Sequence, residues 1–553
     1  MRHLLTSASL AALLLAGSLA AHAQAPAALT GQVTSAEEGA MEGVLVSAKK
    51  TGSTITVTVV SDAQGNFSFP AAKLEPGEYS LRIRAVGYDL DQPAEVNVAA
   101  EQPAKADLKL RKTEDLAAQL TNGEWFASFP GSDQQKNAML GCVGCHTLER
   151  VARSKFTADD FINVTLPRMQ GFVNQSIPQH PQLRKGERRM EERGDQRVQV
   201  YRGMADFLAG LNQSSGPWSY QLKTLPRPKG RATRVVITEY DLPRETIEPH
   251  DVVLDADGMA WYSSFGEQFL GRLDPKTGKV TEYPIPEHKR GYPTGSLGLR
   301  LDKAGDLWLG NMYQATIVKF ERKTETFTFW PLPPEQNIDA AQVNMVSPQS
   351  SHVDGKVWAQ NNGFAGIHRL DVASGKIETW EPFKDAPKGE AHNVYDVVPD
   401  SKNNAYFTDF RQKHIGRVDA KTGEVKLYAI LTPSPALRRG QMDAQDRPWF
   451  GEYRGDKIGV FDTRTERFTE WAMPTRWTNP YDVTLDKNEE AWTGSMLSDR
   501  VVRLDTKTGN ATEYLLPRST NIRRVFVDNT TTPVTFWVGN NHGASIVKLE
   551  PLD

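Results

Sequence analysis

The two cysteines of the chain lie three residues apart and are followed at once by a histidine, in the run Cys142-Val143-Gly144-Cys145-His146. This is the spacing of a c-type haem attachment site, because two such thiols reach both vinyl groups of one haem while the histidine supplies an axial nitrogen to the iron. A redox dithiol would not need the histidine, and a zinc site would need two further ligands nearby. The sequence therefore predicts one covalent haem c, with His146 as an axial ligand of the iron.

The second axial ligand of such an iron has several candidates downstream. Met204 falls in the apolar stripe of a helical pattern, and Met190 stands among charged residues typical of a solvated face. A methionine at helical spacing, such as Met204, is more often a core residue than a ligand. Met169 is therefore the predicted ligand. His180, in a loop between two prolines, is the alternative, together with a five-coordinate iron open to a small ligand.

The chain around the motif has helical patterns, as a haem-binding domain requires. Residues 156–170 begin with Thr157 as the expected helix cap and with acidic residues in the first turn, and residues 187–211 follow with helical spacing. The second pattern resembles the carboxy-terminal helix of class I cytochromes c in its apolar positions Tyr201, Met204, Phe207, Leu208 and Leu211. We expect a cytochrome c domain over residues 114–215, followed by a linker over residues 216–234.

The amino terminus and the charge balance indicate the compartment and the kind of partner. Residues 1–23 combine a basic start, an apolar run and the small-residue pattern Ala21-His22-Ala23, which predicts a cleaved signal peptide and a periplasmic protein. A membrane anchor would need roughly 18 apolar residues, more than this run provides. The net charge of -3 leaves no broad basic field, so nucleic acid is not expected as a partner.

Residues 27–111 alternate apolar and polar side chains in short runs separated by turn residues, which predicts a small β-sandwich. The segments TGQVTSAEEGAMEGVLVSAKK, SDAQGNFSF and LEPGEYSLRIRAVGY resemble the carboxypeptidase regulatory-like domain. That resemblance implies a transthyretin-like fold within a carbohydrate-binding-like superfamily. The sandwich is therefore expected to be a spacer or docking module, with glycan binding as the alternative role.

The remaining residues, 235–553, repeat one unit: an Asp-x-x-Gly-like turn, an aromatic residue opening a strand, a Thr-Gly turn and a strand ending in Thr-Glu-Tyr. Its aromatic markers recur 43 to 50 residues apart, at Trp261, Trp308, Trp358, Tyr406, Trp449, Trp492 and Trp537. Seven such units predict a seven-bladed β-propeller. The last unit lacks its fourth strand, and Val236–Pro243 supplies a matching one from the other end. The expected fold class is thus mainly β and multidomain, with one small helical domain.

The repeat resembles the virginiamycin B lyase (streptogramin lyase) family over the whole propeller. Members of that family are seven-bladed and open a cyclic depsipeptide by elimination, with Mg²⁺, histidine and glutamates at one face. Glu248-Pro249-His250 is similar to the Glu-Pro-His motif of the family, and Glu452 matches its Trp-Phe-x-Glu element. The second histidine of the elimination site has no equivalent, because Thr294 occupies that position in the next blade.

Polar residues from several blades are expected to meet at the mouth of the central channel, where ligands of propellers bind. One set opens the inner strands: His250, Tyr395, Arg438, Tyr481 and Arg524. A second set follows the aromatic markers: Asn311, Asn361, Asp409, Glu452, Asn540, Asn541 and His542. Together they predict a polar, partly cationic pocket for an oxygen-rich or anionic ligand.

Three functions are compatible with these patterns. The first is a periplasmic oxidoreductase component, in which the haem exchanges electrons with an organic substrate at the propeller mouth and with a redox partner. The second is a lyase-like enzyme that uses Mg²⁺ at the propeller. The third is a binding or electron-relay module of the cell envelope. A pyrroloquinoline quinone enzyme is not expected, since that class generally has eight blades and another repeat.

Overall fold

The computed structural model describes residues 26–144, 146–165, 194–214, 217–264, 266–338 and 341–553. The predicted signal peptide lies outside these ranges, as do Cys145 and three candidate iron ligands, Met169, His180 and Met190. Within the described ranges, no helix is both long enough and apolar enough to cross a membrane. The described part comprises a β-sandwich, a small helical module and a seven-bladed propeller.

The sandwich consists of two sheets that bury the alternating apolar residues between them. Strand Ala27–Ser35 lies at the centre of the first sheet, where it pairs in parallel with Leu108–Lys112 and antiparallel with Asn66–Pro70. Leu29, Val33 and the facing Phe69 are almost fully buried, as the period-two pattern requires. The strands are Ala27–Ser35, Gly39–Ala40, Leu45–Lys50, Ile55–Val60, Asn66–Pro70, Gly77–Arg84, Tyr88–Leu90, Ala94–Val98, Ala104–Lys105 and Leu108–Lys112.

The propeller has seven four-stranded antiparallel sheets around one axis, and strand Val235–Asp241 completes the seventh as its outermost strand. The strands of each blade follow here in chain order. Blade one comprises Pro249–Leu254, Ala260–Ser264, Phe269–Leu273 and Val280–Pro284, and blade two comprises Leu299–Leu301, Leu307–Asn311, Thr316–Glu321 and Thr326–Pro331. Blade three comprises Val343–Ser347, Lys356–Asn361, Gly366–Asp371 and Ile377–Trp380. Blade four comprises Val394–Pro399, Ala405–Asp409, His414–Val418 and Val425–Ala429, and blade five comprises Leu437–Met442, Pro448–Glu452, Lys457–Asp462 and Arg467–Ala472. Blade six comprises Pro480–Leu485, Glu490–Ser495, Arg500–Asp505 and Ala511–Leu515, and blade seven comprises Val525–Asp528, Thr535–Asn540 and Ser545–Pro551.

A recurring hydrogen bond explains why the turn aspartate and the aromatic marker occur together in the repeat. The indole N–H of Trp261 donates to the carboxylate of Asp255, which opens the preceding turn, over 2.8 Å. The same bond recurs over 2.9 to 3.0 Å in three further blades. Each pair satisfies a buried donor that burial of a tryptophan would otherwise leave without a partner. The three further pairs are Trp308 with Asp302, Trp449 with Asp443 and Trp492 with Asp486.

The latch strand Val235–Asp241 does not end the seventh sheet, contrary to the simple ring expected from the repeats. Its free edge pairs antiparallel with sandwich strand Ile55–Val60, so one eight-stranded sheet runs from blade seven into the sandwich. A salt bridge of 2.6 Å between Lys49 and Asp241 reinforces the junction. The sandwich thereby covers an exposed strand edge, the feature through which β proteins aggregate.

The helical module lies on the face of the propeller where the inner strands begin. Its helices are Asn122–Ser128, Asp133–Ala138, Glu149–Ala152, Ala158–Asp160 and Asp195–Leu211, with 3-10 turns at Ala117–Gln119 and Met139–Gly144 and a π turn at Phe161–Thr165. The expected cap at Thr157 is present, since its hydroxyl accepts from the amide of Asp160. The long helix begins at Asp195, and Leu208 and Leu211 are buried as its pattern predicts.

Module and propeller share one apolar cluster. The ring of Phe126, in the module, packs in an edge-to-face arrangement against the ring of Trp477, in the propeller, with 5.1 Å between the ring centroids. Tyr481 and Leu497 of blade six belong to the same cluster as Trp125 and are fully buried. The helical module therefore covers the part of the propeller mouth at blade six, where the sequence predicts an open ligand pocket.

Candidate functional site

The predicted haem-binding segment contacts the mouth of the propeller at blade seven. Cys142 is buried in the 3-10 turn, and Cys145 lies outside the described residues. The ring of His146 places its Nδ1 2.8 Å from the carbonyl oxygen of Thr147. A carbonyl only accepts, so Nδ1 carries the proton and Nε2 of the neutral ring keeps its lone pair. Burial lowers the pKa of His146, which favours this neutral form.

These features fit a haem-ligating histidine. Metal-binding histidines almost always donate their second ring N–H to a carbonyl or carboxylate, which fixes the orientation of the ring. Cys142 and Cys145 would hold such a group covalently, and Nε2 of His146 would face its iron. The Met169 prediction lies outside the described residues and stays a prediction.

Three side chains of the propeller hold the predicted haem-binding segment in place through its backbone carbonyls. His542 Nε2 lies 2.9 Å from the carbonyl of Val143, and Asn521 donates to the same oxygen over 3.2 Å. Arg523 donates to the carbonyl of Gly144 over 3.2 Å. His542 is thus brought to the site as predicted, but it contacts the helical module of this chain.

Below this segment, three of the predicted mouth residues form one chain of hydrogen bonds with His250. Arg438 donates to the hydroxyl of Tyr395, which lies 2.7 Å from the hydroxyl of Tyr481. Tyr481 lies 3.2 Å from His250 Nε2, and His250 Nδ1 lies 2.6 Å from Asp251. An arginine only donates and a carboxylate only accepts, so the chain runs from Arg438 to Asp251.

The charge states along this chain follow from burial. Burial first, and then the charge of Arg439, lower the pKa of His250 to about 3 against the opposing effect of Asp251. Burial alone would raise the pKa of Asp251, yet Arg439 and Arg524 hold it well below its usual range. His250 is therefore a neutral acceptor of the hydrogen bond from Tyr481, held in one tautomer by an ionised carboxylate.

One layer deeper, six inner-strand residues of alternating charge surround the axis. Arg439 and Arg524 donate to Asp251 over 2.8 and 3.1 Å, and Arg300 donates to Asp396 over 2.9 Å. Buried charges are tolerated only when paired in this way. Arg524, predicted at the mouth, belongs to this deeper ring, whose members are Asp251, Arg300, Asp396, Arg439, Asp482 and Arg524.

The two predicted glutamates stand apart from each other. Burial raises the pKa of Glu248 to about 7 against the opposing charge of Arg523. Burial, and then the charge of Glu470, raise the pKa of Glu452 to about 7 as well. Lys457 and Glu470, which act on Glu452, lie on the third and fourth strands of blade five. Across the described ranges, no group of three or more His, Cys, Asp or Glu residues is placed to hold a metal ion.

Three of the seven residues in the second predicted set serve the turns between the second and third strands of the blades: Asn361, Asp409 and Asn540. Asp409 accepts from the amide of Arg411 in its own turn over 3.1 Å, and also from His392, ahead of the first strand of the blade, over 2.6 Å. Asn361 and Asn540 likewise accept from amides of their own turns. Such bonds are the usual reason for Asp and Asn in turns, so these residues shape the rim and do not assemble a pocket.

Sequence reasoning missed Arg439, Arg523 and Asn521. The available signal was the arginine doublet, at Arg438-Arg439 and at Arg523-Arg524. Side chains of successive strand residues point in different directions. Two successive arginines at the start of an inner strand therefore place one guanidinium at the mouth and the other in the charged ring below it.

Comparisons with known proteins support the fold of the two β parts. Residues 28–111 match the carboxypeptidase regulatory-like domain, and residues 388–551 match the virginiamycin B lyase family. No curated protein matches the chain. A streptogramin B lyase structure is 22% identical with a TM-score of 0.50, over 58% of this chain and 99% of that one.

Two structures of virginiamycin B lyase from Staphylococcus aureus are also similar. The selenomethionine form is 22% identical, with a TM-score of 0.48, over 57% of this chain and 99% of that one. A catalytically inactive variant with quinupristin is 21% identical, with a TM-score of 0.48 over the same shares. The chain therefore carries a carboxypeptidase regulatory-like domain ahead of a propeller with the fold of the virginiamycin B lyases.

Proposed function

We propose that this chain is an exported, periplasmic c-type haem protein, in which the helical module exchanges electrons with an organic substrate or redox partner bound beside the propeller mouth. The observation that carries the proposal is the orientation of His146 next to the two-cysteine motif. Its Nδ1 is committed to the carbonyl of Thr147, over 2.8 Å, which leaves Nε2 for iron. When bound, a haem supplies one-electron oxidation and reduction.

The residues of the propeller contribute rigidity to this arrangement. His542 and Asn521 both bond the carbonyl of Val143, between the two cysteines, so the attachment segment has one position on the mouth. Tyr481 is fully buried beneath it and in contact with the neutral His250. This layer excludes water from the space between the module and the charged ring of the channel.

The test is covalent haem attachment in protein expressed with a periplasmic c-type maturation system. We expect the wild type to keep haem through a denaturing gel and to give a haem c pyridine spectrum. Cys142→Ala should lose at least half of the covalent haem, because one of the two thioether bonds is removed. Wild-type protein without covalent haem would refute the proposal, and retention of the propeller fold in Cys142→Ala is the control.

A second candidate is a metal-dependent elimination reaction, supported by the family match and by two carboxyl groups suited to proton transfer. Glu248 and Glu452 both have a pKa of about 7, near the working range of a general acid or base. The test adds virginiamycin B and Mg²⁺ and looks for ring opening without a gain in mass. Ring opening that Glu248→Gln abolishes would favour this function over electron transfer.

A further inference from the structure

Arg438 is a cation for which the described residues offer hydrogen-bonding and aromatic neighbours but no carboxylate. Its guanidinium lies over the rings of Tyr453, Tyr481 and Tyr395 at 4.1, 4.6 and 4.8 Å, and over Phe410 at 4.8 Å. One N–H donates to Tyr395, whereas Nε is buried and has no partner among the described residues. A cation with a buried, unpaired donor among aromatic rings is costly unless an anion completes its hydrogen bonds.

The surroundings of Arg438 add positive charge rather than neutralising it. Arg411 and Arg454 are exposed at the same rim. Partial burial of its guanidinium lowers the pKa of Arg454 against the opposing effect of Tyr453, and the like charges of Arg411 and Arg438 also lower it. The hydroxyl of Tyr453 is also buried without a hydrogen-bond partner among the described residues. Three arginines and the unpaired hydroxyl of Tyr453 thus lie near one another at blades four and five.

This rim is also the part of the mouth that stays accessible next to the attachment segment. Arg438, Tyr395 and Phe410 are only partly buried, unlike Tyr481 beneath the module. The ring of Tyr481 separates the rim from Arg523, whose guanidinium lies 5.6 Å from that ring and bonds Gly144. Only the ring of Tyr481 and the side chain of Arg523 therefore lie between the rim and the segment that carries Cys142.

From these contacts we propose that Arg438, together with Arg454, binds the carboxylate of a flat, apolar molecule. The planar fork of the guanidinium suits a carboxylate, and the aromatic walls suit the body that carries it. Two sources have this chemistry: a propionate of the haem, which rests on the proposed function, and a free aromatic carboxylate, which does not.

The test uses full-length protein, with benzoate as the probe and benzamide as its neutral counterpart. If the ligand is free, benzoate binds wild type by calorimetry, benzamide does not, and Arg438→Gln weakens binding at least tenfold. If the ligand is a haem propionate, benzoate does not bind, and Arg438→Gln lowers the haem midpoint potential, because a cation near the iron disfavours its oxidised state. Arg464→Gln, on an exposed turn of blade five, should match wild type in both measurements.

The proposal is overturned if wild type binds no benzoate and Arg438→Gln leaves the midpoint potential unchanged. If the protein carries no haem, the proposed function fails on its own, and the benzoate titration alone decides for or against the carboxylate site. Arg454→Gln, at an exposed position, repeats both measurements if Arg438→Gln does not fold.

Discussion

His250 shows how a single residue can match a family motif and yet sit in different chemistry. The sequence places it in a Glu-Pro-His element, where the family resemblance implies a catalytic role. In the structure it is fully buried, bonded to Tyr481 and Asp251, and neutral. Burial and the charge of Arg439 decide this, and neither can be read from the motif.

Glu248, by contrast, has a titration that can be tested directly. Its pKa is raised from 4.5 to about 7 in the folded chain, so the folded state keeps a proton that the unfolded state releases between these values. The stability it contributes is full below pH 4.5 and is lost as the pH rises through 7. Wild type should therefore lose up to about 2 kcal/mol of unfolding free energy between pH 5 and 8 relative to Glu248→Gln.

Urea unfolding at the two pH values measures this difference. Glu101→Gln, at an exposed position of the sandwich, is the matched control and should follow wild type at both. Parallel pH dependences of wild type and Glu248→Gln would contradict the assignment of the raised pKa to Glu248.

At the scale of elements, the sandwich is joined to the propeller through more than the latch strand. Arg84, on sandwich strand Gly77–Arg84, pairs over 2.6 Å with Asp499, in a turn of blade six, and also donates to the carbonyl of Leu516 over 2.7 Å. The Asp499 side chain is only 2% exposed. We expect a sandwich attached in this way to contribute to the stability of the propeller.

Arg84→Met should therefore destabilise blade six. The change leaves a buried carboxylate without its cation, a loss of about 3 kcal/mol for a buried pair. Hydrogen exchange of strand Arg500–Asp505 measures the local effect. Lys105→Met removes an exposed ion pair with Asp107 and should change stability by no more than about 0.5 kcal/mol. Equal exchange in the two variants would show that Arg84 does not hold the domains together.

At the scale of the whole molecule, the helical module is held on the propeller by apolar packing as well as by the bonds to its attachment segment. Trp477 packs against Phe126, and Arg476 of the propeller pairs with Asp133 of the module. The module is thereby placed over the channel, with the charged ring beneath it.

Trp477→Ala should loosen the module without unfolding the propeller. Removal of the ring exposes Phe126, so the amides of helix Asn122–Ser128 should exchange at least tenfold faster, a change of about 1.4 kcal/mol in local opening. Trp380→Ala, which removes a similar ring from the outer strand of blade three, is the control. Unchanged protection of Asn122–Ser128 in Trp477→Ala would place the docking energy elsewhere.

The sequence by itself determined the sandwich and the repeat of the propeller, because strand alternation, turn chemistry and the Asp–Trp pairs are local and recur at fixed spacing. It also provided the Cys-x-x-Cys-His motif on which the haem prediction depends. Only the tertiary structure decided that Arg524 lies in a buried ion-pair ring, that Glu452 faces the outer strands and that Arg438 lies among aromatic rings. These outcomes depend on which blades and layers come together in space, and the pattern within one repeat does not encode the partners contributed by the other repeats or by the helical module.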